Sequence, residues 1–263
     1  MTSYPLPECR IGPGCDYEVS TRLETSSPFL PLWFTIPDEI AEHLLVTDLR
    51  IANRSLLFST GCVPAGLFAE SAARDADGRL VDVLQLPVVR AHQLVSLSLT
   101  NTSDHQMLFR GSVVGCDPER APDRPRSLLV GCGRYEMGPS PLPSMGPNTV
   151  RLNVRVRPQV ELRPHKLYVP ASVLEKVVIS TISTEAEPGE MLSWVPNETV
   201  ARINVRSRED IVFAPDPVVS SRHFIRLEAI NQTKEPRWFS AAVLGTLVPD
   251  PPQNNPRMEH EQR

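Results

Sequence analysis

The sequence predicts a mainly β protein: two tandem antiparallel β-sandwiches of related topology, with a jelly-roll-like arrangement as first choice and an immunoglobulin-like one as second. Three observations predict this. Residues 87–115 return without a gap as residues 217–245. Apolar residues alternate at period two in short runs that turn residues interrupt about every ten positions. Almost no stretch keeps a helical period for long.

The repeat organises everything else. Its offset is 130 positions, as between Pro87 and Pro217, and eight of its twenty-nine aligned positions are identical, Leu97/Leu227, Asn101/Asn231, Phe109/Phe239 and Gly115/Gly245 among them. Roughly one or two identities would arise by chance at ordinary residue frequencies. In each copy an alternating run, Leu94–Leu99 or Ile225–Ile230, meets a polar turn at Asn101 or Asn231. A second apolar run then returns through Phe109 or Phe239, which reads as a hairpin. Gly115 and Gly245 end the runs where a side chain would not fit. Upstream, Phe34-Thr35-Ile36-Pro37 matches Leu167-Tyr168-Val169-Pro170, and Val63-Pro64 matches Val195-Pro196. After each first proline a single helical turn is expected, then a strand through Val46, Leu49 and Ile51 or through Val178, Ile179 and Ile182.

These matches divide the chain. Residues 1–30, rich in Pro, Ser and Thr, read as a flexible N-terminal arm. The first sandwich repeat spans 31–115 and the second 165–247. Between them, 116–164 reads as a Pro-rich connection that carries a basic-faced strand at 150–157, and 248–263 reads as a disordered tail. In the connecting strand Val150, Leu152, Val154 and Val156 alternate with Arg151, Asn153, Arg155 and Arg157. Arg202, Arg206 and Arg208 repeat the theme. In one sheet these arginines would make a basic stripe able to meet phosphate, an acidic polymer or an acidic neighbouring subunit. The plainer reading pairs them with Glu161, Glu198, Glu209 or Asp210.

Composition bounds function. The 27 prolines are about twice the usual share. The net charge of -4 and a pI near 5.9 argue against nucleic acid as the main partner. No apolar window is long enough to span a membrane, and the first residues do not form a signal peptide. Residence in the cytosol or in a virion is therefore expected. Five cysteines, an odd number, argue against a disulfide framework. Cys9 and Cys15 are spaced too widely for a zinc knuckle. Asp75 and Asp77 sit in a solvated turn, with Arg79 and Val81 where later calcium ligands would have to be. Gly131-Cys132-Gly133-Arg134 lacks the pattern of a phosphate-binding loop. The six histidines form no metal motif and no nucleophile elbow is present. No cofactor, metal or catalytic residue is expected, and the triplets at Asn53, Asn101, Asn197 and Asn231 read as turns. Trp194 is the residue best placed for a glycan platform.

The layout, two tandem sandwiches with arms at either end, is similar to that of double-jelly-roll virus capsid proteins. That resemblance implies a structural subunit that assembles as a homo-oligomer, with other assembly subunits as further partners. A glycan- or polymer-binding sandwich and an enzyme with a site between the sandwiches are the alternatives.

Overall fold

Alternating apolar residues form strands here because one face of each run can be buried while its backbone pairs sideways. The computed structural model describes residues 1–24, 27–52, 54–57, 61–73, 79–80, 82–138, 149–155, 161–185, 191–193, 211–212, 218–219 and 224–248. In chain order the first module contains β1 (Thr2–Pro5), β2 (Cys9–Ile11), β3 (Asp16–Arg22), β4 (Leu30–Thr35), α1 (Asp38–Ala41), β5 (Leu44–Ile51), β6 (Arg54–Ser55), β7 (Val63–Pro64), α2 (Glu70–Ala73), β8 (Leu94–Asn101), β9 (Met107–Phe109) and β10 (Ser112–Cys116). The second contains β11 (Ser127–Met137), β12 (Thr149–Arg155), β13 (Leu162–Tyr168), α3 (Ala171–Leu174), β14 (Val177–Glu185), β15 (Met191–Ser193), β16 (Ile211–Val212), β17 (Phe224–Asn231) and β18 (Arg237–Leu247).

Strand order defines the topology. In the second module one sheet runs β11-β18-β13-β16 and the other β12-β17-β14-β15. Counted along the chain, that is first-eighth-third-sixth against second-seventh-fourth-fifth, the order of a jelly roll and not of an immunoglobulin sandwich. The first module follows the same order in its described strands. Its first strand is split into β1 and β2, which pair β10 and β9, and β10 also pairs β4. The other sheet runs β3-β8-β5-β6. Among the described residues the first module has no strand in the place of β16. The bridge Phe29–Val89 nevertheless has its counterpart in Leu162–Val219.

Three expectations are corrected. The expected flexible arm at 1–30 is instead structured over residues 1–24: they supply three strands, and Leu6, Ile11, Val19 and Leu23 enter the core. The segment 116–164 is more than a connection, because it carries β11 and β12, the first two strands of the second jelly roll. The repeated stretch is no hairpin either. β8 pairs β3 and β5, while β9 and β10 pair β2, β1 and β4, so the chain crosses from one sheet to the other at Asn101. β17 and β18 do the same at Asn231. A short polar turn suits a corner between sheets as well as a hairpin, and the sequence motif does not distinguish them.

What the repeat shares is the hardware of that corner. Asn101 is fully buried; its amide donates to the carbonyls of Ile11 (3.0 Å) and His105 (2.8 Å), and its oxygen accepts the Ser103 N–H (2.9 Å). Asn231, equally buried, donates to Gly138 (2.9 Å) and Glu235 (2.8 Å) and accepts the Thr233 N–H (2.9 Å). Each side chain thereby ties the corner to the module's first strand. Phe109 and Phe239 occupy equivalent fully buried places. Gly115 and Gly245 both lack room for a Cβ, which would strike Leu30 and Phe29 in one case and Leu162 and Arg163 in the other. α1 and α3 occupy the two expected helical turns. Asn101→Ala and Asn231→Ala should each lower unfolding free energy by about 1–3 kcal/mol, because each leaves buried main-chain groups unpaired. Urea unfolding of the two variants, with similar losses, checks that equivalence.

Candidate functional site: the face between the modules

An apolar run without alternation marks a strand covered on both sides. β11 opens with Ser127-Leu128-Leu129-Val130 and β18 carries Ala241-Ala242-Val243-Leu244, all buried. Leu128, Val130, Cys132, Phe239, Ala241 and Val243 pack in the second module's own core. The intervening Leu129, Ala242 and Leu244 belong to the core of the first module, which Tyr168 also joins. The β11-β18-β13 sheet therefore presents its outer face to the first module.

Main chain reinforces the contact. Leu84 N–H donates to Leu32 O (2.9 Å), Gln85 N–H to Ser127 O (2.8 Å) and Ser127 N–H to Val83 O (2.7 Å). The segment 83–85 thus bridges β4 to β11 and carries backbone pairing from one module into the next. Further along β11, the strand bulges between Gly131 and Arg134, and Gly133 N–H donates to Cys62 O (3.1 Å). Glycines make this approach possible. A Cβ on Gly131 would lie 2.7 Å from Gly61 O and 2.8 Å from Cys62 O, and one on Gly61 would lie 2.5 Å from Gly133 N. Gly133 also adopts φ +80°, which favours glycine. The Gly131–Arg134 run, which lacks a phosphate-loop pattern, is backbone packing against backbone.

An ion pair crosses the face. Lys166 Nζ lies 2.9 Å from Asp82 Oδ2, and both side chains are nearly buried. His165 Nε2 stands 3.9 Å from Asp82 and 3.3 Å from Ser127 Oγ. Burial of Asp82 works against its ionisation, but His165 and Lys166 outweigh it and hold the carboxyl below its ordinary value. Nearby, burial first and the Cys62 thiol second push the buried Cys132 thiol up to about 12. It stays protonated and is a poor nucleophile. At the far end of β18, Trp238 is 51% exposed and carries the Arg134 guanidinium 4.0 Å above its ring.

The candidate surface residues fall as follows. Arg151 and Arg155 lie in β12, an edge strand; Arg151 stands opposite Glu228 in the ladder and Arg155 opposite Phe224. Arg157, Arg202, Arg206, Arg208 and Trp194 lie outside the described residues, as do Asp75, Asp77, Asn53 and Asn197. Among the described residues no group of three or more His, Cys, Asp or Glu is placed to hold a metal, and all five cysteines are free thiols. Nor is any described helix long and apolar enough to cross a membrane. Sequence reasoning missed Asp82, Lys166, Leu129, Ala242 and Leu244. The readable signal was the lack of alternation in β11 and β18.

Fold and face together define a tandem jelly-roll protein whose modules share one apolar contact. No family model matches the sequence, and no curated protein matches it. Two solved structures are similar in overall build. One is the major capsid protein P2 from Bacteriophage PM2, at 7% identity over 92% of this chain and 98% of that one, with a TM-score of 0.35. The other is VP54 of PBCV-1, as fitted into a reconstruction of the virophage Sputnik, at 8% identity over 95% and 97%, with a TM-score of 0.42.

Two predictions follow from the geometry of this face. Gly131→Val places a branched side chain against two carbonyl oxygens and should cost about 1–3 kcal/mol of stability, measurable as a lowered urea midpoint. Asp82→Asn should cost about 1–3 kcal/mol at pH 7. Because the folded carboxyl titrates below its unfolded value, its contribution is present above the ordinary carboxylate range and is lost as pH falls through the lower folded value. The parent should therefore lose more stability than the variant on acidification below about pH 4. Parallel acid profiles would remove Asp82 from this role.

Proposed function

We propose that the protein is a non-enzymatic, capsid-type assembly subunit that forms a homo-oligomer through the first module's counterpart of its own inter-module face. One observation carries this reading: the same sheet face occurs twice, and in the first module Ser3 and Ser112 leave its edge open to solvent while Trp33, Thr35 and Val114 are buried within the chain. In the second module the face comprises Leu129, Lys166, Tyr168, Ala242 and Leu244. The register equivalents in the first are Ser3, Trp33, Thr35, Ser112 and Val114. Ser3 is exposed, and Ser112 is half-buried with its hydroxyl 2.6 Å from that of Thr35. Trp33 takes the position of Lys166. Its buried indole N–H has no hydrogen-bond partner among the described residues, whereas Lys166 has Asp82.

A second copy that docks its own module edge against Ser3 and Ser112 would cover the part of this face that the chain leaves open. Such a contact joins unlike surfaces head to tail, so it closes a ring or continues into a larger shell. In this reading Arg151, Arg155 and Arg157, together with Arg202, Arg206 and Arg208, face acidic groups of neighbouring subunits, and the assembled particle is the protein's location. A polymer-binding role gains no support from Trp238, because Arg134 already takes one face of its ring.

Light scattering coupled to size-exclusion chromatography tests the proposal. A defined oligomer is expected for the parent, and a folded monomer for Ser3→Arg combined with Ser112→Arg. A parent that stays monomeric at every concentration and salt would overturn it, as would a double variant that assembles unchanged.

A further inference from the structure

Apart from the inter-module face, one cluster of chemically capable side chains stands on the described surface. His43 ends the turn after α1, and His105 lies in the corner turn between β8 and β9. Their ring centroids are 6.0 Å apart and their planes are inclined by 70°. The two turns are tied at the backbone, since Thr102 donates to the His43 carbonyl from its N–H (2.8 Å) and from its hydroxyl (2.9 Å). Buried Asn101 fixes the second turn from below by bonding the His105 carbonyl. The imidazoles thus project from two turns that cannot drift apart.

The hydrogen bonding of His105 is already that of a metal ligand. Its Nδ1 lies 3.0 Å from Asp104 Oδ1. A carboxylate on one ring nitrogen holds the N–H there and leaves the other nitrogen's lone pair free, as second-sphere carboxylates do for ligating histidines. With metal–nitrogen bonds near 2.1 Å, two imidazoles on one tetrahedral cation set their centroids about 5.3 Å apart. The rings stand 6.0 Å apart and must close by roughly 1 Å to share a cation, a rotation open to both exposed side chains.

We propose that His43 and His105 bind one divalent d-block cation of the zinc or nickel type, with Asp104 orienting His105 and water completing the coordination. Bound there, the cation clamps the α1–β5 turn to the β8–β9 corner at one tip of the first module. The repeat supplies an internal control. The equivalent positions in the second module are Lys176, Lys234 and Glu235, and Glu235 is paired with Arg237 at 2.6 Å. Two lysines offer no such ligand set, so the equivalent tip of the second module lacks the site.

Isothermal titration of the full chain with nickel chloride tests this, in a Cys9→Ser, Cys15→Ser background that removes the two most accessible competing thiols. One cation per chain is expected. His43→Gln and His105→Gln should each weaken binding at least tenfold, and Asp104→Asn about tenfold. His165→Gln should leave it unchanged. Circular dichroism confirms that the variants fold, which their surface positions favour. Absence of binding, a stoichiometry of two, or affinity unchanged in both His43→Gln and His105→Gln would overturn the site.

Discussion

The outer face of the β11-β18-β13 sheet has to be covered, because Leu129, Leu244 and Tyr168 would otherwise meet water. Burying a leucine is worth about 1.5–3 kcal/mol, so the first module gains several kcal/mol by lying against this face. The rest of the inter-module geometry follows from that cover. The backbones must come close enough for Gly61, Gly131 and Gly133 to touch, and a glycine is needed at each contact. Lys166, on the same face, enters a nearly dry space and needs an anion, which Asp82 supplies. The loose chain at 83–85 becomes a strap between sheets because its amides and carbonyls find partners on both sides.

Duplication explains what the halves share, and the inter-module contact explains where they differ. Both halves keep the buried asparagine corner, the core phenylalanine and the glycine that ends the last strand. Those features serve the sandwich itself. The outer face diverges: Leu129, Ala242 and Tyr168 in one half correspond to Ser3, Ser112 and Thr35 in the other. Hydroxyl-bearing residues tolerate water and a wet or transient contact, while the apolar set demands permanent cover.

Much of the fold was legible because a gapless repeat with alternating apolar residues leaves few arrangements open. The core pairs Phe109/Phe239 and the short helices after Pro37 and Pro170 were readable residue by residue. Pairing partners were not. Asn101 and the residues after it look the same whether the chain folds back beside itself or crosses to a facing sheet, and only long-range pairing decides. The first thirty residues looked mobile because prolines recur among several Ser and Thr, yet Ile11 and Val19 each find a place in a core formed by distant strands. The site was harder still. Asp82 and Lys166 are unremarkable letters until two modules meet, and His43 and His105 come together only through a turn-to-turn contact. The lack of alternation in β11 and β18 was the one local sign that a sheet is buried twice.

If the shared face holds the modules together as described, neither can unfold while the other stays native. Differential scanning calorimetry of the full chain tests this most directly. A single transition is predicted, with equal calorimetric and van't Hoff enthalpies. Two resolved transitions, with the first module melting independently of the second, would contradict it.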